Sequence, residues 1–177
     1  MHGIIHTELQ RYVETKHGPD AWEAVLQEAG LNAKIYMAIS TYPDKEILAI
    51  VTAASRLTHI PTEYILEDFG EFIVPSLMHM YQVRIDPAWK TMELLLHTEG
   101  TIHKTVRLKK PGAQPPRLKF EKTGPTTLRL LYTSSRKMSA VAKGIIRGVA
   151  NYYGELVTIQ EHKQADGCSE MNIMIWR

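Results

Sequence analysis

The sequence predicts an α+β fold, with a helical N-terminal lobe followed by a larger lobe. That larger lobe is expected to hold an antiparallel sheet of about four strands together with helices. Two observations predict this fold. Apolar residues recur at helical spacing through most of the first half, and from Pro115 onward segments that alternate apolar and polar residues flank one further helix. A length of 177 residues suits one domain with a sizeable core, and a helical sub-lobe is expected over residues 1–60.

The first part of the chain is predicted to be helical. The predicted helices cover residues 4–14, residues 20–27 with Asp20 as the N-cap, a stretch that begins after Asp44, and residues 61–80. Pro75 lies inside the last of these and should kink or split it, because proline cannot donate the backbone hydrogen bond. Pro87 opens a further helical segment that carries His103, is weakened at Gly100 and ends at Pro111-Gly112.

The second part of the chain alternates like a sheet. Arg117–Glu121 and Thr126–Thr133 are predicted strands joined by a turn at residues 123–125. Lys137–Tyr153 returns to helical spacing. A final hairpin is expected from Leu156–Gln160 and Met171–Trp176, with its turn at residues 165–167.

Composition limits the classes of function. The net charge of +2 hides an asymmetry, because residues 1–103 hold 7 basic and 14 acidic side chains, whereas residues 104–137 hold 10 basic side chains and only Glu121. A basic segment can bind nucleic acid or an acidic partner, although a solvated face is commoner. Its only aromatic residues are Phe120 and Tyr132, so a base-stacking platform is poorly supported and no nucleic acid is expected.

The cysteine count and the hydropathy pattern limit the kinds of site and the cellular location that are expected for the protein. Cys168 is the single cysteine, which excludes an intrachain disulfide and a multi-cysteine zinc site. No apolar run approaches the roughly 18 residues that a membrane span needs, and the N-terminus lacks the apolar core of a signal peptide. We therefore expect no membrane association and a cytoplasmic location.

Tyr132, Ser134 and Arg136 form the most informative pattern. Alternate residues of a strand share a face, so these side chains should present two hydroxyls and a guanidinium on one side. Such donors suit a carboxylate or another anionic group. The alternative is a half-exposed strand with ordinary polar alternation, and spacing alone favours that alternative.

The order of motifs along the whole chain resembles the haem nitric-oxide/oxygen-binding (H-NOX) family, the sensor module of soluble guanylate cyclases and their bacterial relatives. The motifs that carry the resemblance are Met1-His2-Gly3-Ile4-Ile5, His17-Gly18, Ala21-Trp22, His103, Gln114-Pro115-Pro116-Arg117, the Tyr132-Ser134-Arg136 set and residues 142–150. The resemblance implies a single haem sensor domain over residues 1–177 and not an enzyme. It also implies that the second lobe encloses haem b, iron protoporphyrin IX.

The resemblance assigns roles to particular residues. His103 becomes the proximal iron ligand, although on residue type alone eight histidines are candidates, with His79 and His97 as its rivals. Pro116 presses the porphyrin out of plane. The Tyr132, Ser134 and Arg136 set holds the two haem carboxylates, which are costly to bury without partners.

The same resemblance describes the wall that faces the gas. Its expected residues are all aliphatic: Ile5, Leu9, Ile73, Val141 and Ile145. Relatives that bind oxygen stably place a tyrosine at the position of Val141. Because bound oxygen needs a hydrogen-bond donor, we expect ferrous haem here to bind nitric oxide and carbon monoxide, with little or no oxygen binding. Signalling is expected in trans, to a histidine kinase or a cyclic-di-GMP enzyme.

Two other classes of function stay open from the residues alone. One is a non-haem binding module in which the Arg136 set holds an organic acid. The other is an interaction domain that uses the basic segment 104–137. An enzyme is the least supported class, because no nucleophile–base pair or paired-carboxylate motif is found in the sequence.

Overall fold

The computed structural model describes residues 1–109, 113–164 and 167–177. It confirms the predicted α+β class, since helices are followed by a four-stranded antiparallel sheet. The chain forms two compact units, Met1–Phe69 and Gly70–Arg177. Among the described residues, no helix has both the length and the apolar character that crossing a bilayer requires.

The first unit is helical. Its elements are α1 (Gly3–His17), α2 (Ala21–Glu28), α3 (Asp44–Thr58) and most of α4 (Thr62–Phe72). His2 caps α1 by accepting a hydrogen bond from the Ile4 N–H. Asp20 stands at the predicted N-cap position of α2, but its backbone is already helical and its side chain makes no capping bond. A cap residue needs the extended backbone that turns its side chain toward the first free N–H groups.

A buried histidine lies within the first unit. His6, on α1, is fully buried and stacks on the Tyr36 ring with 4.4 Å between ring centroids. Within the described parts of the chain, neither ring nitrogen of His6 has a hydrogen bond of ordinary geometry. Burial is the main cause that lowers the pKa of His6 to about 4, and the His2 backbone opposes this shift. The imidazole is therefore neutral at physiological pH.

Among the residues that the structure describes, the second unit combines four α-helices and a short 3-10 helix (Gln82–Arg84) with the sheet. Its helices are α5 (Val74–Tyr81), α6 (Thr91–Thr98), α7 (Lys104–Lys109) and α8 (Ser139–Tyr152), and its strands are β1 (Arg117–Lys122), β2 (Thr127–Thr133), β3 (Leu156–Lys163) and β4 (Cys168–Trp176). The helix predicted over 61–80 is split at Ile73, and Pro75 occupies the first turn of α5. Proline is tolerated there because the first N–H groups of a helix have no intrahelical partner.

The sheet has the strand order β1-β2-β4-β3, and every neighbouring pair is antiparallel. One face of the two central strands is buried: Leu128, Leu130 and Tyr132 from β2, with Met171, Ile173 and Ile175 from β4. Met92 and Leu95 of α6 and Ile146 of α8 pack in the same core. The side chain of Tyr132 therefore lies on the helix-covered face, as the alternation of β2 predicts.

A π-helical turn, Glu99–His103, connects α6 to α7. Helix therefore continues from Thr91 to Lys109 with one turn wound more loosely than an α-helix. Such turns are rare and frequently occur at functional sites. The predicted end of this segment, Pro111-Gly112, lies outside the described residues.

Two glycines allow α8 to pack closely against its neighbours in the second unit. A Cβ atom on Gly70 would lie 2.3 Å from the Val141 carbonyl oxygen. A Cβ atom on Gly148 would lie 2.5 Å from a methyl group of Val74. The absence of side chains at these positions holds Val141 of α8 close to the C-terminal part of α4.

Candidate functional site

Tyr132 and Ser134 come together at the C-terminal end of β2. Tyr132 is 3% exposed, and its phenol forms hydrogen bonds with the Ser134 side chain and the Met138 backbone. Burial is the largest influence on the pKa of Tyr132 and raises it, while these two hydrogen bonds lower it; the net shift is upward. The phenol therefore keeps its proton at neutral pH and can donate it to a ligand.

Arg136 completes this donor set. Its backbone N–H donates to the Ser134 hydroxyl at 3.2 Å. Its guanidinium donates to the carbonyl oxygen of Gln114, just before the Pro115-Pro116 pair. The structure thus gathers a phenol, a hydroxyl and a guanidinium, with the guanidinium reaching the segment that leads into β1. This combination of donors is suited to carboxylate groups.

A buried ion pair neighbours the donor set. Glu161 of β3 accepts hydrogen bonds from Ser139 and from Ser169, the latter at 2.6 Å, and pairs with Lys143 at 3.0 Å. Burial raises the pKa of Glu161, but these hydrogen bonds and the Lys143 charge outweigh it and lower the pKa. Glu161 is therefore ionised, and Lys143 offsets its charge near Tyr132.

His103 lies at the end of the π-helical turn, with a side chain that is 15% exposed. Its Nδ1 atom lies 3.0 Å from Oε2 of Glu99. Burial is the largest cause of a lowered pKa at His103, although Glu99 opposes the shift, so the imidazole is neutral at physiological pH. Because a carboxylate can only accept, the proton must be on Nδ1, and Nε2 then carries the lone pair that binds metals.

Glu99 holds His103 and two other groups. Its Oε1 atom lies 2.6 Å from Nη2 of Arg107, and its Oε2 atom accepts from the Leu118 N–H at 3.2 Å. Burial raises the pKa of Glu99, but the bonds from His103, Arg107 and Leu118 outweigh it and lower the pKa. Glu99 is therefore ionised, as an acceptor for Nδ1–H requires.

Pro116 lies close to this group. Its carbonyl oxygen accepts from Nη2 of Arg107 at 3.4 Å, and its backbone also contacts the His103 ring. The extended segment from Gln114 to Leu118 is therefore held at three points, by Arg136, Arg107 and Glu99. The structure thereby brings Pro116 together with His103.

The five predicted aliphatic residues are divided between the units. Ile73 is buried, Val141 and Ile145 are half-buried, and all three belong to the second unit. Ile145 and Ile102, the residue before His103, pack against one cluster that contains Val74, Met78, Leu94 and Val149. Ile5 and Leu9 lie on α1 in the first unit, where Ile5 is half-buried and Leu9 is buried.

The rival histidines occupy different surroundings. His79 and His97 are exposed, and His97 stacks on Trp89 with 4.5 Å between ring centroids. Among the residues that the structure describes, no three His, Cys, Asp or Glu side chains form a group that could hold a metal ion. A haem iron needs only one protein nitrogen, because its porphyrin supplies four.

Sequence reasoning missed Glu99, Arg107 and the Gln114 carbonyl. A glutamate four residues before a histidine on a helical segment is the signal that indicates the first, since side chains four apart meet on one face. The contacts of Arg107 and Gln114 join residues distant along the chain, and local spacing does not reveal them.

The donor chemistry matches what haem requires. Haem iron takes one neutral imidazole from the protein, and its two carboxylates need hydrogen-bond donors when buried. His103 meets the first requirement, and the set of Tyr132, Ser134 and Arg136 meets the second. These are the features of a haem-binding sensor domain.

Comparison with known proteins identifies the family. The family model described as Haem-NO-binding matches residues 2–161, so the chain belongs to this family of haem-based gas sensors, the H-NOX family. The soluble guanylate cyclase gcy-35 of Caenorhabditis elegans is 28% identical over 175 residues. That match covers 93% of this chain but 25% of the cyclase, so the chain spans about a quarter of the length of this relative.

Solved structures share the fold over the full chain. An H-NOX protein from S. oneidensis in the Fe(II)NO ligation state superposes with a TM-score of 0.91 and 20% identity, covering 100% of both chains. The Fe(II) unliganded H-NOX protein from K. algicida gives a TM-score of 0.89 and 25% identity, covering 100% of this chain and 97% of that chain.

Proposed function

We propose that the chain is a single sensor domain that holds haem b and binds nitric oxide and carbon monoxide on ferrous iron while excluding oxygen. The observation that carries the proposal is the half-buried His103 ring, whose Nδ1 atom lies 3.0 Å from Oε2 of Glu99, so that Nε2 is left to present a lone pair. When bound, haem would supply a ferrous iron able to bind a diatomic gas.

Each part of the site has a separate task in this proposal. His103 binds the iron through Nε2. Tyr132, Ser134 and Arg136 donate hydrogen bonds to the haem carboxylates and so set the orientation of the ring. Pro116, held by Arg107 through its carbonyl oxygen, would lie against the porphyrin.

Selectivity among gases follows from side-chain chemistry. Ile73, Val141 and Ile145 offer no hydrogen-bond donor, and bound oxygen, which carries negative charge, depends on one. Nitric oxide and carbon monoxide do not depend on such a donor. The assignment of Ile5 and Leu9 to the gas-facing wall stays a prediction from the family resemblance.

The output of the domain is proposed to be conformational and not catalytic. If His103 left the iron, the π-helical turn and the two helices that it joins would be free to move. The domain would then shift from one conformational state toward another. We propose a cytoplasmic histidine kinase or cyclic-di-GMP enzyme as the partner that reads this change in trans, on the basis of the family resemblance.

An absorption spectrum of the reduced, purified protein tests the proposal. We expect a haem Soret band that shifts on addition of nitric oxide and of carbon monoxide but not in air. In His103→Gly the band of the bound haem should weaken strongly, and added imidazole should restore it by occupying the vacated ligand position.

Two matched variants control this experiment. His79→Gly and His97→Gly remove exposed histidines of the same unit and should leave the spectrum unchanged. A colourless protein that takes up no haem would contradict the proposal, and so would a His103→Gly spectrum equal to that of the two controls. Stable oxygen binding in air would contradict the selectivity alone.

A further inference from the structure

Three bonds converge on the Glu99 carboxylate from three parts of the second unit. His103 Nδ1 lies 3.0 Å from Oε2, the Leu118 N–H lies 3.2 Å from the same oxygen, and Nη2 of Arg107 lies 2.6 Å from Oε1. Glu99 and His103 stand at the two ends of the π-helical turn. The loosely wound turn therefore brings a carboxylate to the nitrogen of His103 that does not bind metal.

A carboxylate on Nδ1–H changes how the other nitrogen behaves. It fixes the tautomer and the orientation of the ring. It also attracts the Nδ1 proton and so raises the basicity of the metal-binding nitrogen. Arg107 holds Oε1, so Oε2 stays directed at His103 and at the Leu118 N–H. A neutral acceptor in the same place would preserve the tautomer but would give less basicity.

We propose that Glu99 is a positioning residue that sets how strongly His103 holds the haem iron and therefore how readily nitric oxide releases it. This inference rests on the proposed function. It goes beyond that function because it names the side chain that adjusts the response of the sensor.

The same carboxylate connects His103 to the sheet. Leu118, which donates to Glu99, pairs with Tyr132 across β1 and β2. Tyr132 belongs to the donor set proposed for the haem carboxylates. A shift of the His103 ring would therefore act on Glu99 first, and through the Leu118 N–H on the strand that pairs with Tyr132.

Glu99→Gln tests the role of the charge, because glutamine keeps the size and the acceptor oxygen of glutamate. The matched control is Glu121→Gln, which removes an exposed carboxylate on β1 that pairs with Arg129 at 2.6 Å. Resonance Raman spectroscopy of the reduced, haem-loaded proteins measures the iron–histidine stretching frequency. We expect this frequency to fall in Glu99→Gln and to be unchanged in Glu121→Gln.

A titration with nitric oxide gives the second measurement. The fraction of molecules in which His103 has left the iron should rise in Glu99→Gln, with the equilibrium shifted by roughly tenfold, since loss of such a partner typically weakens metal binding at least that much. Glu99→Asp keeps the charge but shortens the reach, and it should shift both measurements in the same direction as Glu99→Gln.

The outcomes separate this inference from the proposed function. If the wild-type protein takes up haem and responds to nitric oxide, but both Glu99 variants match Glu121→Gln in frequency and release, the inference is overturned while the proposed function stands. If the wild-type protein shows no iron–histidine band, both fail. A Glu99 variant that folds by circular dichroism yet loses haem supports the inference when Glu121→Gln retains it.

Discussion

At the scale of single residues, the site depends on hydrogen bonds that fix protons. The Nδ1 proton of His103 is assigned by one carboxylate, and the phenol proton of Tyr132 is retained because burial raises its pKa. The sequence predicted Tyr132, Ser134 and Arg136 as a set from strand alternation, but only Tyr132 lies in β2, and the other two follow the end of the strand at Thr133. Glu99 was missed although its spacing of four residues from His103 places the two side chains on one helical face; the π-helical turn between them has no such local signal.

Val141 provides a residue-scale prediction. It is half-buried on α8 and lacks a donor, so Val141→Tyr should add a phenol that stabilises bound oxygen. We expect the reduced Val141→Tyr protein to form an oxygen complex in air, measured by the shift of its Soret band. Val141→Phe adds the same ring without the hydroxyl and serves as the control. Equal behaviour of the two variants in air would show that a donor at this position does not govern selectivity.

At the scale of elements, the sequence predicted most helices and strands and both hairpins, β1 with β2 and β3 with β4, but not how the two hairpins pair with each other. Pro75 predicted the split between α4 and α5, because proline lacks the backbone N–H that a continuous helix needs. β2 and β4 pair as neighbours although their partner residues are about forty positions apart in the chain. This pairing depends on how the two hairpins pack together, and the pattern within a strand does not predict it.

The contact of α8 with Gly70 gives a prediction about stability. In Gly70→Ala the new methyl group would stand 2.3 Å from the Val141 carbonyl oxygen, so backbone must shift. We expect the free energy of unfolding to fall by about 1–3 kcal/mol, the usual cost of overpacking, as measured by urea denaturation.

Gly100→Ala is the matched control for this substitution. A Cβ atom at Gly100 meets nothing within 4 Å, and alanine has a higher helix propensity than glycine by about 1 kcal/mol. The control should therefore be neutral or stabilising. A Gly70→Ala protein as stable as Gly100→Ala would contradict the close packing of α8.

At the scale of the whole molecule, the sequence predicted the α+β class correctly. Apolar residues recur at helical spacing in the first half and alternate with polar residues later in the chain. These patterns extend over many residues, so an error of a few residues at the end of an element does not change the predicted class. The basic segment 104–137 looked like a candidate binding surface in the sequence. In the structure Arg107 and Arg129 pair with Glu99 and Glu121, and Arg136 bonds to a carbonyl, so part of this charge serves internal contacts.

The dependence of overall stability on pH follows from His6. Its pKa is about 4 in the folded chain against 6.5 for an exposed histidine, so the unfolded state binds more protons between these values. This contribution is full above pH 6.5 and is lost as pH falls toward 4, by an amount of about 3 kcal/mol. We expect the free energy of unfolding to decline over this range in urea denaturation.

His6→Leu isolates this contribution. Leucine fills a similar volume against Tyr36 but cannot take up a proton, so the variant should lose stability less steeply between pH 6.5 and 4. His79→Leu, at an exposed position, should follow the wild-type curve. Parallel curves for His6→Leu and the wild-type protein would mean that His6 does not govern acid sensitivity.

The three hydrogen bonds that hold the segment from Gln114 to Leu118 also affect self-association. β1 is an edge strand, and unpaired edges invite a strand from another molecule. Here the Leu118 N–H and the Gln114 and Pro116 carbonyls already have side-chain partners from the same chain. At the start of this edge these three groups already have partners, so the contacts that organise the site also make pairing with a foreign strand less favourable there.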